Sequence, residues 1–215
     1  MAIRLLLADD HPIFRAGLRA LLETQPNVEI LAEVEDGLGA VEAAGTQKPD
    51  IVVIDVAMPG MNGLEATRRI TAAAPRVKVL CLSMHSDRRF VDAALRSGAH
   101  GYLLKECALE ELVIAIHAVL AGQIYVSPGL GDAVLTGYRK EGHARSALSE
   151  LTSREREVLQ LLAEGHTAQA IAARLHVSVK TVGTHREHLM QKLGTRSLAG
   201  LTKFAIREGL TSAEK

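Results

Sequence analysis

The chain has 215 residues, which suits two small domains, and its 47% apolar content excludes wholesale disorder. Aromatic residues make up only 3% and Trp is absent, so the cores must be built from aliphatic side chains. The net charge is zero, but the charged residues are unevenly distributed. Residues 1–121 hold 16 acidic and 12 Lys or Arg side chains, whereas residues 148–215 hold 7 and 10. This difference suggests that the two parts of the chain bind different partners.

Short apolar stretches and amphipathic stretches alternate along residues 1–121. The apolar stretches predict strands at Ile3–Ala8, Val28–Val34, Ile51–Val56, Lys78–Ser83 and Gly101–Lys105. Helical spacing of apolar residues predicts helices at Ile13–Glu23, Gly37–Thr46, Leu64–Ala73, Arg88–Arg96 and Leu109–Leu120. Five strand–helix repeats predict an α/β domain, a (βα)5 doubly wound parallel sheet, whose functional crevice lies at the carboxyl ends of the strands.

The pattern weakens after this domain. Residues 122–147 are punctuated by glycines and are interpreted as a linker with a short helix around Gly131–Thr136. From residue 148 the pattern becomes helical and offers no strand candidate. Residues 148–215 are therefore predicted to form a small all-α domain.

Start and stop signals divide this second domain into four helices. Thr152 and Glu155 fit a capping box at the start of the first helix, and Gly165 ends it. The remaining signals predict a helix at Thr167–Leu175, a tight turn at His176-Val177, a third helix capped by Ser178 and a fourth at Ser197–Arg207.

The cysteines and the N-terminus narrow the class of protein. Cys81 and Cys107 form neither a CxxC pair nor a Cys/His cluster, which argues against a disulfide framework or a zinc site. Cys81 is expected to be a small buried hydrophobe. No secretory signal is predicted, and no apolar run approaches the roughly 20 residues of a membrane helix. We therefore expect a cytoplasmic protein.

Four of the five predicted strands end in a side chain that carries a charge or a hydroxyl group. The first strand ends at Asp9-Asp10, the third at Asp55, the fourth at Ser83 and the fifth at Lys105. Clustered carboxylates repel each other and need a cation, and Mg²⁺ suits hard oxygen ligands. Asp55 is then a plausible nucleophile that forms an acyl phosphate, with Lys105 neutralising the transferred group and Ser83 binding one of its oxygens.

Each of these residues has an ordinary interpretation when it is taken alone. Aspartates after a strand are common in loops, and a lysine at a strand end is usually solvated. The joint order of two aspartates, one aspartate, a serine and a lysine, each at its own strand end, is what indicates phosphoryl chemistry.

Four segments carry a resemblance to a known family. LLLADDHPIFRAGLRALL, DIVVIDVAMPGMNGLEATRRI, VLCLSMHSD and GAHGYLLK resemble the receiver domain of response regulators over residues 3–121. The resemblance implies that Asp55 is the phosphoacceptor and that Mg²⁺ is the cofactor. It also implies a role for six further residues: Asp9, Asp10 and the backbone carbonyl of Ala57 as metal ligands beside Asp55, Ser83 and Lys105 as the phosphate-binding pair, and Tyr102 as the switch aromatic.

Two positions depart from the receiver pattern. Ser83 stands where Thr is commoner, which keeps the hydroxyl group. Ala57 is smaller than the residue often found there, which opens the site and is expected to change the rate at which water removes the phosphate.

The third helix of the second domain is amphipathic. On a helical wheel, Val182, Leu189 and Leu193 share one sector, flanked by His185 and Arg186. The opposite sector gathers Lys180, Thr184, Glu187, His188 and Gln191, with Gly183 beside them. A short helix and a tight turn before such a helix are typical of a recognition helix. Any solvated helix has a polar face, however, so periodicity alone leaves both interpretations open.

The sequence LTSREREVLQLLAEGHTAQAIAARLHVSVKTVGTHREHLMQKLGTRSLAGL resembles the LuxR/NarL-type helix-turn-helix over residues 148–210. The resemblance implies a response regulator of the NarL type, phosphorylated by a sensor histidine kinase, whose phosphorylation releases the recognition helix. It further implies homodimers on promoter DNA, paired by the last helix around Leu198–Ile206. The implied DNA-binding residues are Ser178, Lys180, Thr181, Gly183, Thr184, His185, Arg186, Glu187, His188 and Gln191, with His185 near the phosphate backbone rather than catalytic.

Two residues depart from the LuxR/NarL pattern. Relatives commonly carry a long polar residue at Gly183, and a glycine inside a helix costs about 1 kcal/mol relative to Ala. Glu187 would repel phosphates, or could accept a hydrogen bond from a cytosine amino group. We therefore predict weaker affinity or a shallower salt dependence of DNA binding than a lysine-rich relative shows.

Two other functions are open. The chain could accept phosphate but act through protein contacts, with a helix-turn-helix impaired by Gly183 and Glu187. It could also be an enzyme of the aspartyl-phosphate phosphatase type. Such an enzyme carries its nucleophile after the first strand in a DxD pattern, whereas this chain has Asp9-Asp10-His11 there.

Overall fold

The computed structural model describes residues 2–106, 109–130 and 147–211. The chain forms two compact units, Met1–Lys140 and Glu141–Lys215. The helix predicted around Gly131–Thr136 lies outside the described residues, as does Cys107. None of the helices in the described ranges combines the length and the apolar character that a bilayer crossing requires.

The first unit is a parallel sheet with helices around it. Its strands are β1 Ile3–Ala8, β2 Val28–Val34, β3 Ile51–Asp55, β4 Lys78–Ser83, β5 Gly101–Leu104 and β6 Tyr125–Val126. Its helices are α1 Pro12–Glu23, α2 Gly37–Gln47, α3 Gly63–Ala73, α4 Arg88–Arg96 and α5 Leu109–Leu120. The spatial order is β2-β1-β3-β4-β5-β6, and all pairs are parallel. The predicted α/β fold is confirmed.

The sheet is apolar on both faces because successive side chains of a strand point to opposite sides. In β1, Leu5 and Leu7 belong to one core cluster while Leu6 and Ala8 belong to the other. The first cluster includes Leu22 of α1, and the second includes residues of α2, α3 and α4. Helices therefore cover both faces, and the strand ends open onto one edge.

Strand β6 was not predicted. It lies in the segment interpreted as a linker, and it pairs with β5 so that Tyr102 stands beside Val126. Leu130, four residues further on, is 2% exposed and packs in the same core cluster as Val126. A strand of two residues is too short to show a periodicity, and the glycines around it indicated a loop. Residues 125–130 thus pack on the sheet instead of bridging freely.

The second unit is helical, and residues 147–211 contain no strand. Its helices are α6 Ser153–Ala163, α7 Ala168–Arg174, α8 Val179–Lys192 and α9 Leu198–Arg207. The predicted capping box is present, because Thr152 accepts from the amide of Glu155 while the Glu155 side chain accepts from the amide of Thr152. The positive φ values of Gly165 (85°) and His176 (52°) mark the turns before and after α7. These turns let α6, α7 and α8 pack on one apolar core.

Candidate functional site

Three carboxylates meet at the carboxyl edge of the sheet. β1 and β3 are neighbours, so the residues that end them, Asp9, Asp10 and Asp55, come together. Their ligand atoms and a ring nitrogen of His11 all lie within 4.8 Å of one another. Asp9 and Asp55 are 1% and 2% exposed. Buried carboxylates this close repel one another and raise the need for a cation.

Lys105 supplies one cation to this cluster. Its Nζ lies 2.7 Å from Asp9 Oδ2 and 2.8 Å from Asp55 Oδ2. The ammonium group also lies 4.7 Å from the centre of the Phe14 ring, and the lysine side chain is only 5% exposed. Burial nevertheless raises the pKa of Asp55 above its ordinary value, with Asp9 adding to the rise and Lys105 opposing it.

His11 is a member of the site that the motif assignment did not include. Its Nδ1 lies 3.0 Å from Asp10 Oδ1, 3.3 Å from Asp9 Oδ1 and 3.8 Å from Asp55 Oδ2, while its side chain is 59% exposed. The backbone amide of His11 donates to Asp9 Oδ1 at 2.9 Å. Its position directly after the aspartate pair was the available signal in the sequence.

Ser83 and Tyr102 lie on the neighbouring strands. Ser83 ends β4 and is 1% exposed, and its Oγ accepts from the amide of His85 at 3.1 Å. Tyr102 is fully buried, and its hydroxyl donates to the carbonyl of His85 at 2.7 Å. Burial raises the pKa of Tyr102 far above its ordinary value. The hydroxyls of both residues are thus bonded to the backbone of His85 in the loop after β4.

The loop after β3 passes close to Asp55. The amide of Gly63 donates to the carbonyl of Val56 at 3.0 Å, and the amide of Ala57 donates to Asp55 Oδ1 at 3.2 Å. A Cβ at Gly63 would stand 2.0 Å from the carbonyl oxygen of Asp55. Only a glycine lets the start of α3 approach the phosphoacceptor candidate so closely.

The donor set of the cluster fits a hard divalent cation. Carboxylate oxygens are the ligands that Mg²⁺ prefers, and opposite ligands of an octahedral ion are about 4 Å apart. The ligand atoms of Asp9, Asp10 and Asp55 share a space of this size. Asp9 and Asp55 are buried and Asp10 is half-buried, and the negative charge of the three carboxylates exceeds what Lys105 alone balances.

Buried Cys81 behaves as the sequence predicted. It is fully buried in β4, and burial raises the pKa of its thiol to about 12. Its Sγ lies 3.8 Å from Thr67 Oγ1. The thiol therefore stays protonated at neutral pH and acts as a packing group.

Helix α8 presents the polar face that the sequence predicted. Val182 and Leu189 are buried and Leu193 is half-buried. The exposed residues are Ser178, Lys180, Thr184, Arg186, Glu187, His188 and Gln191, and the half-buried ones are Thr181, Gly183 and His185. Arg186, expected to flank the core stripe, is exposed like the polar face. The hydroxyl of Ser178 accepts from the amide of Thr181 at 3.0 Å and so caps the helix.

An ion pair anchors the end of α8 to the start of α6, and it was not predicted. Lys192 Nζ lies 2.7 Å from Glu155 Oε2 and 3.3 Å from the carbonyl of Glu150. Burial raises the pKa of Glu155, but the hydrogen bonds from Lys192 and Thr152 outweigh it, so the pKa is lowered overall. The pair fixes how the last turn of the recognition helix candidate sits on the unit.

Both units match known families. Residues 5–117 match the response regulator receiver domain, and residues 149–205 match the bacterial regulatory proteins of the luxR family. The transcriptional regulatory protein DegU of Brevibacillus brevis is 36% identical over an alignment of 222 positions that spans 96% of this chain and 94% of DegU.

Solved structures of a similar protein contain DNA. RcsB from Salmonella enterica serovar Typhimurium, bound to promoter rprA in the presence of the phosphomimetic BeF3−, is 28% identical with a TM-score of 0.63, covering 95% of this chain and 98% of that one. A structure of two RcsB dimers bound to two parallel DNAs is 25% identical with a TM-score of 0.60, covering 97% and 99%.

The sheet with its acidic cluster, followed by the helix-turn-helix unit, defines a response-regulator transcription factor. The chain belongs to the NarL/LuxR family of two-component response regulators, which bind DNA and are not enzymes. The alternative of an aspartyl-phosphate phosphatase is thereby excluded.

Proposed function

We propose that this protein is a transcription factor whose DNA binding is controlled by phosphorylation of Asp55. The observation that carries the proposal is the pairing of Asp55 with Lys105 Nζ at 2.8 Å inside a cluster of three carboxylates. The first unit accepts the phosphoryl group, and the second unit binds promoter DNA. Residues 1–121 and 148–215 would hold these functions, with the chain between them joining the two.

The metal ligands in this proposal are Asp9, Asp10, Asp55 and the backbone carbonyl of Ala57. Mg²⁺ bound there would neutralise charge on the transferring phosphoryl group and on the carboxylates around it. The fit of the donor set to a hard cation supports this assignment. These residues would hold the cation beside Asp55, the group proposed to react.

Asp55 acts as the nucleophile. A carboxylate oxygen of Asp55 attacks phosphorus of a phosphohistidine on the sensor kinase, the new O–P bond forms, and the P–N bond breaks. The leaving imidazole keeps the bonding electrons and takes up a proton. Lys105 stays within reach of the incoming oxygens, because its buried side chain is held between Asp9 and Asp55. Ser83 donates its hydroxyl to a phosphoryl oxygen.

Tyr102 links phosphorylation to the surface. Its hydroxyl and that of Ser83 are bonded to the backbone of the same residue, His85. When Ser83 turns its hydroxyl to the phosphoryl group, its bond to His85 is given up and the loop after β4 changes. Tyr102 acts as the switch because its partner lies in that loop.

The second unit binds double-stranded DNA through α8. The exposed face of α8 and the promoter-bound structure of RcsB support this role, and the RcsB dimers on DNA support a homodimer paired through α9, around Leu198–Ile206. The residues that we expect at the DNA are the ten named above, from Ser178 to Gln191. Because the proposed partner is DNA, we expect the protein to act in the cytoplasm.

Phosphate incorporation by an Asp55→Asn variant tests the proposal. We expect the wild-type protein to incorporate label from a radioactive phospho-donor in the presence of Mg²⁺, and the variant to incorporate none. Asp50→Asn is the matched control, because Asp50 lies at the opposite end of β3 and is exposed. Labelling of Asp55→Asn at the original rate would overturn the assignment. A mobility shift of promoter DNA, measured with and without acetyl phosphate, tests the gating separately.

A further inference from the structure

The segment after α5 packs against β5, the strand that contains Tyr102 and ends just before Lys105. Strand β6 brings it there, and Ser127 follows β6 directly. Ser127 is 3% exposed. Buried hydroxyl groups need hydrogen-bond partners, and those of Ser127 lie on two different elements.

Ser127 makes three hydrogen bonds around the end of β5. Its amide donates to the carbonyl of Tyr102 at 3.0 Å. Its Oγ accepts from the amide of Leu104 at 3.1 Å and donates to Glu111 Oε1, on α5, at 2.8 Å. One serine therefore joins β5, α5 and the segment that leaves the sheet.

The opposite side of β5 is held by the proposed phosphate-binding residue. The amide of Lys105 donates to the carbonyl of Ser83 at 2.8 Å. Leu104 and Lys105 are adjacent, so the end of β5 is bonded to Ser83 on one side and to Ser127 on the other. The same stretch of β5 is thus bonded both to a proposed phosphate-binding residue and to Ser127, and close-packed strands do not deform independently.

The segment beyond Ser127 leads to the DNA-binding unit. The amide of Leu130 donates to the carbonyl of Ser127 at 2.8 Å, and the side chain of Leu130 is 2% exposed in the core. The chain then continues through residues 131–146 to the second unit. Ser127 is therefore bonded to Leu130, the last described residue before the connection.

We propose that Ser127 is the residue that couples the phosphorylation site to the connection between the two units. The proposal rests on the proposed function, since it needs Asp55 to be phosphorylated. Ser127 is a positioning residue that touches neither the phosphoryl group nor DNA. Its bonds differ between the two phosphorylation states, and this difference is what coupling requires.

The test compares Ser127→Ala with two other variants. Ser127→Thr keeps the hydroxyl group. Ser97→Ala is the matched control, because Ser97 is also 3% exposed and its Oγ donates to the carbonyl of Ala93 at 2.8 Å, at the end of α4. The probe is a DNA duplex selected from random sequences by the phosphorylated wild-type protein. For each variant, label incorporation from acetyl phosphate and the ratio of DNA dissociation constants without and with phosphorylation are measured.

We expect Ser127→Ala to incorporate phosphate to the wild-type extent. Its ratio of dissociation constants should fall about tenfold, which is within the usual range of coupling between two sites. Ser127→Thr and Ser97→Ala should keep the wild-type ratio. A merely structural role would lower the stability of Ser127→Ala and of Ser97→Ala alike and leave both ratios unchanged.

A Ser127→Ala protein that folds and keeps the wild-type ratio overturns the coupling role. Where circular dichroism shows that Ser127→Ala does not fold, the ratio of dissociation constants is measured on Glu111→Leu instead, and the same outcomes apply. This variant removes the acceptor of the Ser127 hydroxyl, and Glu111 lies on the partly exposed surface of α5. Two results would have another meaning: a ratio of dissociation constants of one for the wild-type protein, or phosphorylation of Asp55→Asn. Either of these removes the proposed function itself, and the coupling role with it.

Discussion

Lys105 Nζ lies 2.8 Å from Asp55 Oδ2, although the two residues are 50 positions apart in the chain. The two residues stand at the ends of β3 and β5, which lie on either side of β4. They meet because parallel strands end at the same edge of the sheet. The lysine shares its single charge with Asp9 at 2.7 Å. The cluster therefore keeps an excess of buried negative charge that a metal ion would balance.

Replacement of Lys105 by methionine should slow phosphorylation. The variant removes the cation nearest the attacking carboxylate, and loss of one such stabilising group typically lowers a rate about 100-fold or more. The rate of label incorporation from acetyl phosphate at saturating Mg²⁺ measures the effect. Lys78→Met, at the opposite end of β4, should leave the rate unchanged. Equal rates for the two variants would contradict a role of Lys105 in the transfer.

Asp55→Asn should stabilise the protein in a pH-dependent way. Burial raises the pKa of Asp55, so the folded state binds a proton more tightly than the unfolded state. Ionisation of Asp55 therefore lowers the free energy of unfolding as pH rises from the ordinary Asp pKa of about 3.9 through the raised value. Above the raised value the destabilisation is fully present.

Urea unfolding without divalent cations measures this effect. The gain in stability of Asp55→Asn over the wild type should be present at neutral pH. It should shrink as pH falls through the raised pKa toward the ordinary one. A variant that is less stable than the wild type at neutral pH would show that the attraction between Lys105 and ionised Asp55 exceeds the cost of burying the carboxylate charge.

Gly63→Ala should disturb the loop that holds Asp55. The added Cβ would stand 2.0 Å from the carbonyl oxygen of Asp55, and forced overpacking typically costs about 1–3 kcal/mol. Gly45→Ala is the control, because Gly45 lies in α2 with open space around it and should gain about 1 kcal/mol. Chemical denaturation and phosphate labelling together measure both effects. Unchanged stability and labelling in Gly63→Ala would be incompatible with this tight approach.

Glu187→Gln should strengthen DNA binding. Glu187 is exposed on the face of α8 that carries Lys180 and His188. Its negative charge therefore repels the DNA phosphates whatever the base sequence of the DNA. Dissociation constants at several salt concentrations measure the effect. For the wild type we expect a slope shallower than about −5, the value for six phosphate contacts on B-DNA.

A wild-type slope at least as steep as that value would refute the idea that this helix makes few phosphate contacts. Gly183→Ala provides a separate control. Open space surrounds Gly183, so a methyl group should stabilise α8 by about 1 kcal/mol without changing the salt slope. The two variants therefore distinguish the effect of charge from the effect of helix stability.

Local patterns were sufficient to predict most of the elements. Strands such as Ile3–Ala8 and Lys78–Ser83 have the predicted bounds, because an apolar run flanked by polar residues signals its own ends. The capping box of Thr152 and Glu155 formed for the same reason, since all its atoms lie within one turn. Strand β6 escaped prediction because its two residues pair with β5, which no local pattern reveals.

The sequence by itself determined the order of strands and helices and which side chains stand at the strand ends. It thereby indicated Asp55 and its neighbours, because parallel strands necessarily bring their carboxyl ends to one edge. Only the tertiary structure decided that the His11 ring lies beside the three carboxylates and that Ser127 is hydrogen-bonded to Leu104 and Glu111. The same holds for the ion pair between Lys192 and Glu155. These contacts join side chains whose positions depend on how helices and strands pack, and packing is a property of the whole chain that no spacing of residues records.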